Sequence, residues 1–295
     1  MGLKDLFTKH TVVTHTAETK AATTVGKTEK TETSEKKETT ENQPKKPFEE
    51  VAPKEAGILD MVIAFDTTGS MAAYIDAVRM EVAELIPRLF KDNENLRLGI
   101  VAFGDYCDMA NAQEFGNAYQ CLMPTSNEND IIKFVKETKD TSGGDGDEFY
   151  ELVIKKIVEE TPWRENSTRA ILLISDAEPH PLGYTYKDYV VGNQIDWRKE
   201  AGKAADKKIK IDTVTITDVP WYKELSQMTN GISVPFTSGH KTARLVEAAT
   251  MSRGSLKARK MFDTMASAFT DEETCAIFES YKRERDNCTD DNVWK

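Results

Sequence analysis

The sequence predicts an α/β protein with a doubly wound, mostly parallel sheet and helices on both faces. Three observations predict this class. From residue 57 onward, apolar segments of strand length alternate with amphipathic segments of helix length, an order typical of parallel strands joined by crossover helices. The segment 58–65 is largely apolar along its length, as expected of a strand buried on both faces. Hydrophobic residues make up 39% of the 295 residues, enough for a sizeable core without disulfides or zinc.

Residues 1–56 differ in composition from the rest and are predicted to form a disordered tail. Twelve of the first 50 residues are threonine, and large apolar side chains are scarce between Val13 and Phe48. Such a segment cannot bury enough surface to offset the entropy of ordering. Its ten lysines balance its ten acidic side chains, so the net charge of −11 belongs entirely to the remainder.

The elements follow from the spacing of apolar residues. A helix is predicted after the first strand, because Met71, Ile75, Val78 and Val82 recur at helical spacing. Further strands are predicted at 96–103, 113–122, 168–175, 209–216 and 232–236. Further helices are predicted at 128–138, 148–159, 195–205 and 221–228, and two or three more within 241–284. We therefore expect one α/β domain over 57–250 and a C-terminal helical extension over 251–295.

The composition also excludes some classes of function. The chain carries 39 basic and 50 acidic side chains. Non-specific nucleic-acid binding depends on clustered lysine and arginine, so no nucleic-acid partner is expected. No segment approaches the roughly 20 apolar residues of a membrane-spanning helix. The four cysteines form no CxxC pair, and no apolar leader follows the first methionine, which favours a cytoplasmic location.

Acidic and hydroxyl side chains occur where predicted strands end or where the next helix begins. In chain order they are Asp66, Thr68, Ser70, Asp105, Asp145 and Asp176. Ligands of open parallel sheets bind beyond the carboxyl ends of the strands. Hard oxygen donors at this density suit Mg²⁺ better than zinc. The pattern therefore indicates a divalent cation site at this edge of the sheet.

The segment Asp66-Thr67-Thr68-Gly69-Ser70 resembles the D-x-[ST]-x-S element of the von Willebrand factor type A domain family. In that family the element opens a metal-ion-dependent adhesion site, and the fold is a Rossmann-like, doubly wound sheet. The resemblance covers roughly residues 57–250. The Gly-Gly-Asp turn at 143–145 and the Asp-Ala-Glu-Pro-His turn at 176–180 resemble those of intracellular members, including members attached to atypical protein kinases.

The resemblance implies a set of metal ligands for Mg²⁺ or Mn²⁺. The first loop of the family's site matches Asp66, Thr68 and Ser70, and the third loop matches Asp176. The second loop departs from the family, because Asp145 stands where threonine is usual. We expect Asp145 to be a further ligand. Two more residues are candidates for a supporting role beside the ligands, namely Thr141 and Asp105.

By this resemblance the chain is expected to bind a partner protein, whose carboxylate enters an open position on the metal. It is then an adaptor or a subunit of a larger assembly and not an enzyme. The alternative is a scaffold protein whose metal site is silent or purely structural. Asp145 keeps both readings open, because an added carboxylate raises cation affinity but can occupy the partner's position.

A phosphohydrolase is a third reading. A strand-end aspartate assisted by Mg²⁺ is also found in haloacid-dehalogenase-like phosphatases, which resemble D-x-D-x-[TV]. Here Thr68 occupies the third position, so the general-acid carboxylate is missing and the reading is disfavoured.

Several neighbouring residues receive simpler predictions. The aromatic insert after the 176–180 turn contains Tyr184, Tyr186 and Tyr189, and tyrosines suit a partner-binding surface. His180 is expected to make a structural contact within its turn. Glu148 and the residue before it are expected to be acids at a helix N-terminus, where they favour the dipole.

Overall fold

The computed structural model describes residues 57–111, 114–186, 194–235 and 241–287. The tail predicted for 1–56 and Tyr189 lie outside these ranges. The strands are β1 Leu59–Asp66, β2 Leu96–Phe103, β3 Tyr119–Thr125, β4 Asp147–Glu148, β5 Thr168–Ser175, β6 Glu178–Pro179, β7 Ile209–Thr215 and β8 Ser233–Pro235. The helices are α1 Ala72–Asp92, α2 Glu128–Glu137, α3 Tyr150–Glu160, α4 Trp197–Asp206, α5 Pro220–Met228, α6 Thr242–Arg253, α7 Leu256–Ala268 and α8 Glu272–Asn287.

Six strands form the central sheet in the order β3-β2-β1-β5-β7-β8, so β3 and β8 are its two edges. Every neighbouring pair is parallel except β2 with β3. The predicted fold class, a mostly parallel sheet with helices on both faces, is confirmed. The chain runs outward from β1 in both directions, first to β2 and later to β5. The carboxyl end of β1 therefore lies where the strand order reverses, which is where open α/β sheets bind ligands.

The two faces of the sheet build two separate apolar cores. Alternate residues of β1 point to opposite faces, so Ile63 and Phe65 join one core while Val62 and Ala64 join the other. The first core is completed by α1, α2, α6, α7 and α8, and the second by α3, α4 and α5. The residues of both cores are almost completely buried, and this packing fixes the strand ends that carry the candidate site.

The third strand differs from its prediction in position, and it runs against the parallel order of the other five strands. It begins at Tyr119, because residues 116–118 form a 3₁₀ turn that starts at Gly116 with φ of 55°. It also runs antiparallel to β2. The connection between β2 and β3 contains no α-helix among its described residues, and a parallel return needs a crossover of about a dozen or more residues, usually helical. The spacing of apolar residues does not indicate whether a strand runs parallel or antiparallel to its neighbour.

The C-terminal helices share a buried ionic cluster with the sheet. Arg253, the last residue of α6, is 1% exposed and donates two hydrogen bonds to the carboxylate of Asp212 in β7, one of them 2.9 Å long. The hydroxyl of Tyr281 in α8 donates to the same carboxylate at 3.1 Å. Glu284 of α8 pairs with Arg253 at 3.4 Å and also with Lys210 of β7. The cluster thus ties α6 and α8 to β7.

Helix α6 continues through residue 250, where a boundary between domain and extension was expected. Phe262 of α7 and Phe278 of α8 belong to the same apolar core as β1. Within the described ranges, no helix is long and apolar enough to cross a bilayer.

Candidate functional site

The candidate site is built from loops at the carboxyl edge of the sheet, which is the side where the parallel strands end and is distinct from the two edge strands. Asp66 is the last residue of β1 and is fully buried. Its Oδ1 accepts a hydrogen bond from the backbone N–H of Thr68 at 2.7 Å, and its Oδ2 accepts one from the hydroxyl of Tyr150 at 2.7 Å. Burial raises the pKa of the Asp66 carboxyl to about 7, although these hydrogen bonds oppose the shift. Burial without a basic partner disfavours the ionised form of a carboxyl group, and a bound cation would favour it.

The hydroxyls of Thr68 and Ser70 lie together beside this carboxyl. Their oxygens are 3.2 Å apart, with Thr68 buried and Ser70 exposed. Asp176 follows β5 directly and contacts the Ser70 hydroxyl, and its Oδ1 is buried without a hydrogen-bond partner. Burial raises the pKa of Asp176, and the Ser70 contact opposes this. The structure therefore brings together four of the residues expected as ligands.

Glu148 is a member of this site that the sequence analysis misplaced. It was expected at a helix N-terminus, but it lies in β4, which pairs with β6, and its side chain is buried against Thr68. Burial and the nearby carboxylates of Asp66 and Asp105 raise the pKa of Glu148 to about 10. Its Oε2 is buried with no hydrogen-bond partner. A buried acidic oxygen without a partner is costly unless a cation or proton satisfies it.

A glycine makes room for the Glu148 side chain. Gly143 has φ of 66°, and a Cβ there would lie 2.9 Å from Glu148 Oε1 and 3.3 Å from Thr68 Cβ. The backbone N–H of Gly143 donates to Asp108 Oδ2 at 3.1 Å, which ties this turn to the loop after β2. A side chain at position 143 would collide with Glu148, so this position requires glycine. The Gly-Gly pair was therefore the only signal in the sequence that another side chain lies against this turn.

Thr141 supports the first loop from the side. Its hydroxyl lies 3.0 Å from the hydroxyl of Thr67, and its backbone N–H donates to the Thr67 carbonyl at 3.0 Å. The Thr67 hydroxyl in turn donates to the carbonyl of Phe103 at the end of β2. Thr141 thus braces the residue next to Thr68.

A second cluster lies beside the first and contains Asp105, Asp145 and His180. One ligand atom from each lies within 4.8 Å of the others. His180 Nε2 is 2.6 Å from Asp105 Oδ1, and both side chains are buried. Asp145 is exposed and accepts a hydrogen bond from the Tyr184 hydroxyl at 3.1 Å. The structure therefore places Asp145 with Asp105 and His180, while Asp66 makes its contacts elsewhere.

Aromatic rings hold the second cluster in place. The ring of Tyr184 stacks on His180 with centroids 3.7 Å apart, and Tyr106 stacks on Tyr184 at 6.0 Å. The Tyr106 hydroxyl donates to Glu151 Oε1 at 2.7 Å. Tyr184 and Tyr186, expected on a partner surface, are both half-buried and pack against the core formed with α3, α4 and α5.

Negative charge dominates the two clusters. Among the described residues, no lysine or arginine forms an ion pair with any of their carboxylates, which are Asp66, Asp105, Asp145, Glu148, Glu151 and Asp176. His180 is the basic group that the structure brings to them. Burial lowers the pKa of His180 and the adjoining Asp105 carboxylate raises it, with a net upward shift. Among the described residues, these two clusters therefore carry an excess of negative charge.

Comparison with known proteins identifies the family. A family model described as von Willebrand factor type A domain matches residues 60–248. The alpha-protein kinase vwkA of Dictyostelium discoideum is 28% identical over 126 residues, which are 43% of this chain and 19% of that protein. The chain thus spans about one fifth of the length of this relative.

Two solved structures resemble the chain at low identity. Proximal thread matrix protein 1 from the mussel byssus is 14% identical with a TM-score of 0.48, and the match covers 66% of this chain and 48% of that one. The pilus adhesin SpaC from Lactobacillus rhamnosus GG is 12% identical with a TM-score of 0.48, over 67% of this chain and 30% of that one.

Proposed function

The chain belongs to the von Willebrand factor type A domain family, and we propose that it is a Mg²⁺-dependent protein-binding module with no catalytic turnover of its own. One observation carries the proposal. Asp66, Thr68, Ser70 and Asp176 converge at one point of the carboxyl edge, next to Glu148, and no basic side chain in the described ranges pairs with them. This donor set is entirely oxygen, which suits Mg²⁺ or Mn²⁺.

The residues present fit such an ion. Glu148 Oε2 and Asp176 Oδ1 are buried oxygens without a hydrogen-bond partner, so each has a free lone pair for a cation. Asp66, Thr68, Ser70 and Asp176 would hold the ion. When bound, it would supply a Lewis-acidic position for a carboxylate from the partner.

The protein's own residues hold these ligands in place. The Tyr150 hydroxyl donates to Asp66 and accepts from the backbone N–H of Ala177 at 3.3 Å, so it links the first loop to the residue after Asp176. Such outer contacts fix the direction of ligand oxygens. Beside Ala177 lies a groove of about 370 Å³ whose lining includes Trp197, Trp221 and the exposed Arg198. It offers room for the residues that flank a partner's acidic side chain.

Ser70→Ala tests the function without disturbing the fold, because Ser70 is exposed. The chain is immobilised and challenged with lysate of its host in Mg²⁺ and in EDTA. We expect a protein that is retained in Mg²⁺, released by EDTA, and bound about tenfold more weakly by Ser70→Ala. Ser267→Ala, an exposed serine on α7, is the matched control and should bind normally. Equal retention in Mg²⁺, in EDTA and with Ser70→Ala would sink the proposal and favour a scaffold with a silent site.

Glu148→Gln should separate cation binding from folding. Glutamine preserves the volume and, like the protonated carboxyl, is neutral, so the metal-free protein should melt at an unchanged or higher temperature. Mg²⁺ affinity should fall by about 10–100-fold, since a carboxylate next to Thr68 is lost. Calorimetric titration of Mg²⁺ measures this, with the exposed Glu137→Gln as the control. Unchanged Mg²⁺ affinity would remove Glu148 from the site.

A further inference from the structure

We propose that Asp105, Asp145 and His180 form a second cation site, for a divalent transition ion of the zinc class. The three side chains come from three different loops, after β2, before β4 and after β6, and one ligand atom of each lies within 4.8 Å of the others. An imidazole with two carboxylates is a donor set that zinc-class ions prefer, whereas Mg²⁺ favours oxygen alone. The two clusters at this edge thus differ in the ion that they select.

Unsatisfied buried atoms in the cluster support this site independently of its acidity. Asp105 is fully buried and its Oδ2 has no hydrogen-bond partner, and His180 is 4% exposed with an Nδ1 that has none. Beneath them Glu151 is 3% exposed, and its Oε2 also lacks a partner. Buried polar atoms are nearly always paired in folded proteins. Asp105 Oδ2 belongs to a carboxylate whose other oxygen faces His180 Nε2, and this unpaired buried oxygen indicates a missing positive group.

Tyr184 contacts two of the three side chains and holds them near one another. His180 is held by stacking on Tyr184, and the Tyr184 hydroxyl donates to Asp145 at 3.1 Å. The ring and the carboxylate are therefore positioned by the same aromatic side chain. Contacts of this kind fix ligand direction in metal sites.

Two adjustments complete the site. His180 Nε2 and Asp105 Oδ1 are 2.6 Å apart and share a proton. Ligands of a tetrahedral ion at about 2.0–2.1 Å stand about 3.3 Å apart. An ion that replaces the shared proton therefore requires these two atoms to separate by less than about 1 Å. The second is a rotation of the exposed Asp145 side chain, whose ligand oxygen lies within 4.8 Å of those of Asp105 and His180.

The test is a zinc titration of the full, untagged chain. The other histidines of the sequence are His10, His15 and His240, so a background variant replaces all three with glutamine. We expect this variant to bind one equivalent of Zn²⁺ in competition with a chromophoric chelator. Co²⁺ in its place should give a visible absorption band. Both Asp145→Asn and His180→Gln should weaken Zn²⁺ binding by more than about tenfold.

Asp66→Asn separates the two sites. It should leave Zn²⁺ binding within about twofold of the background, because Asp66 belongs to the other cluster. The proposal is overturned if the background variant binds no Zn²⁺, if His180→Gln binds it unchanged, or if Asp66→Asn abolishes the binding. Asp145 is exposed, so the Asp145→Asn variant should fold normally. If His180→Gln does not fold, the Zn²⁺ affinity of Asp145→Asn decides the test. Failure here leaves the Mg²⁺ proposal standing, since its test changes Ser70 and not this cluster.

Discussion

Asp66→Asn is expected to weaken Mg²⁺ binding by more than about 100-fold. A unit charge pair 4 Å apart interacts by about 4 kcal/mol at an effective dielectric constant of about 20, and a divalent ion close to a buried carboxylate gains more. Asparagine keeps an oxygen that accepts from the Thr68 N–H, so the first loop should retain its shape. Isothermal titration with Mg²⁺ measures the loss, and circular dichroism checks that the variant is folded.

Asp206→Asn is the matched control for this variant. Asp206 is exposed at the end of α4, shortly before β7 begins. It therefore lies near the amino ends of the parallel strands, on the side of the sheet away from Asp66. It should bind Mg²⁺ as the parent does. A folded Asp66→Asn variant with a parental Mg²⁺ isotherm would contradict the assignment of Asp66 as a ligand.

Arg253→Met is expected to destabilise the protein by about 3–5 kcal/mol. The substitution keeps most of the side chain's length but leaves the fully buried Asp212 carboxylate without its cation. Breaking a buried ion pair by removing one partner costs about this much, because the remaining charge stays desolvated. It also releases Glu284 of α8 from its contact with Arg253. Urea denaturation followed by tryptophan fluorescence gives the change in unfolding free energy.

Two further variants make the Arg253 result interpretable. Arg198→Met breaks a comparable pair with Glu224, in which both side chains are about half exposed, and should cost less than about 1 kcal/mol. Adding Asp212→Asn to Arg253→Met removes the stranded charge and should recover part of the lost stability. A loss for Arg253→Met that is no larger than for Arg198→Met would show that the buried cluster is not a stabilising element.

Much of the fold was predictable because burial leaves periodic traces in the sequence. The apolar run of β1 reflects its position between the two cores, and the helical spacing within α1 reflects its packing into the first core. Edge strands leave weaker traces. Most of β3 is only half-buried, so its apolar pattern is diluted. Its start is set by the turn at Gly116, and its direction by a connection from β2 without an α-helix among the described residues.

The candidate site was predictable where its residues lie at the end of a strand or in the loop that directly follows it. Asp66 and Asp176 have that position, and both lie where the sequence indicates. Glu148 does not, because its place depends on a short pairing between β4 and β6 that joins segments about 30 residues apart. The partnership of Asp105 with His180 has the same cause, since 75 residues separate them in the chain. Contacts between loops that are distant in the chain produce no local pattern in the amino-acid sequence.

The edges of the sheet also limit how another protein can bind. One edge strand, β3, contains Pro124, and the other, β8, has only three residues and ends at Pro235. Proline has no N–H to offer to a neighbouring strand. Strand addition, in which a partner's extended segment joins a sheet, needs a row of unpaired backbone groups. Within the described residues, the prolines of both edge strands disfavour such strand addition. We therefore expect a partner to be recognised mainly through side chains, which the acidic loops at the carboxyl ends of the strands provide.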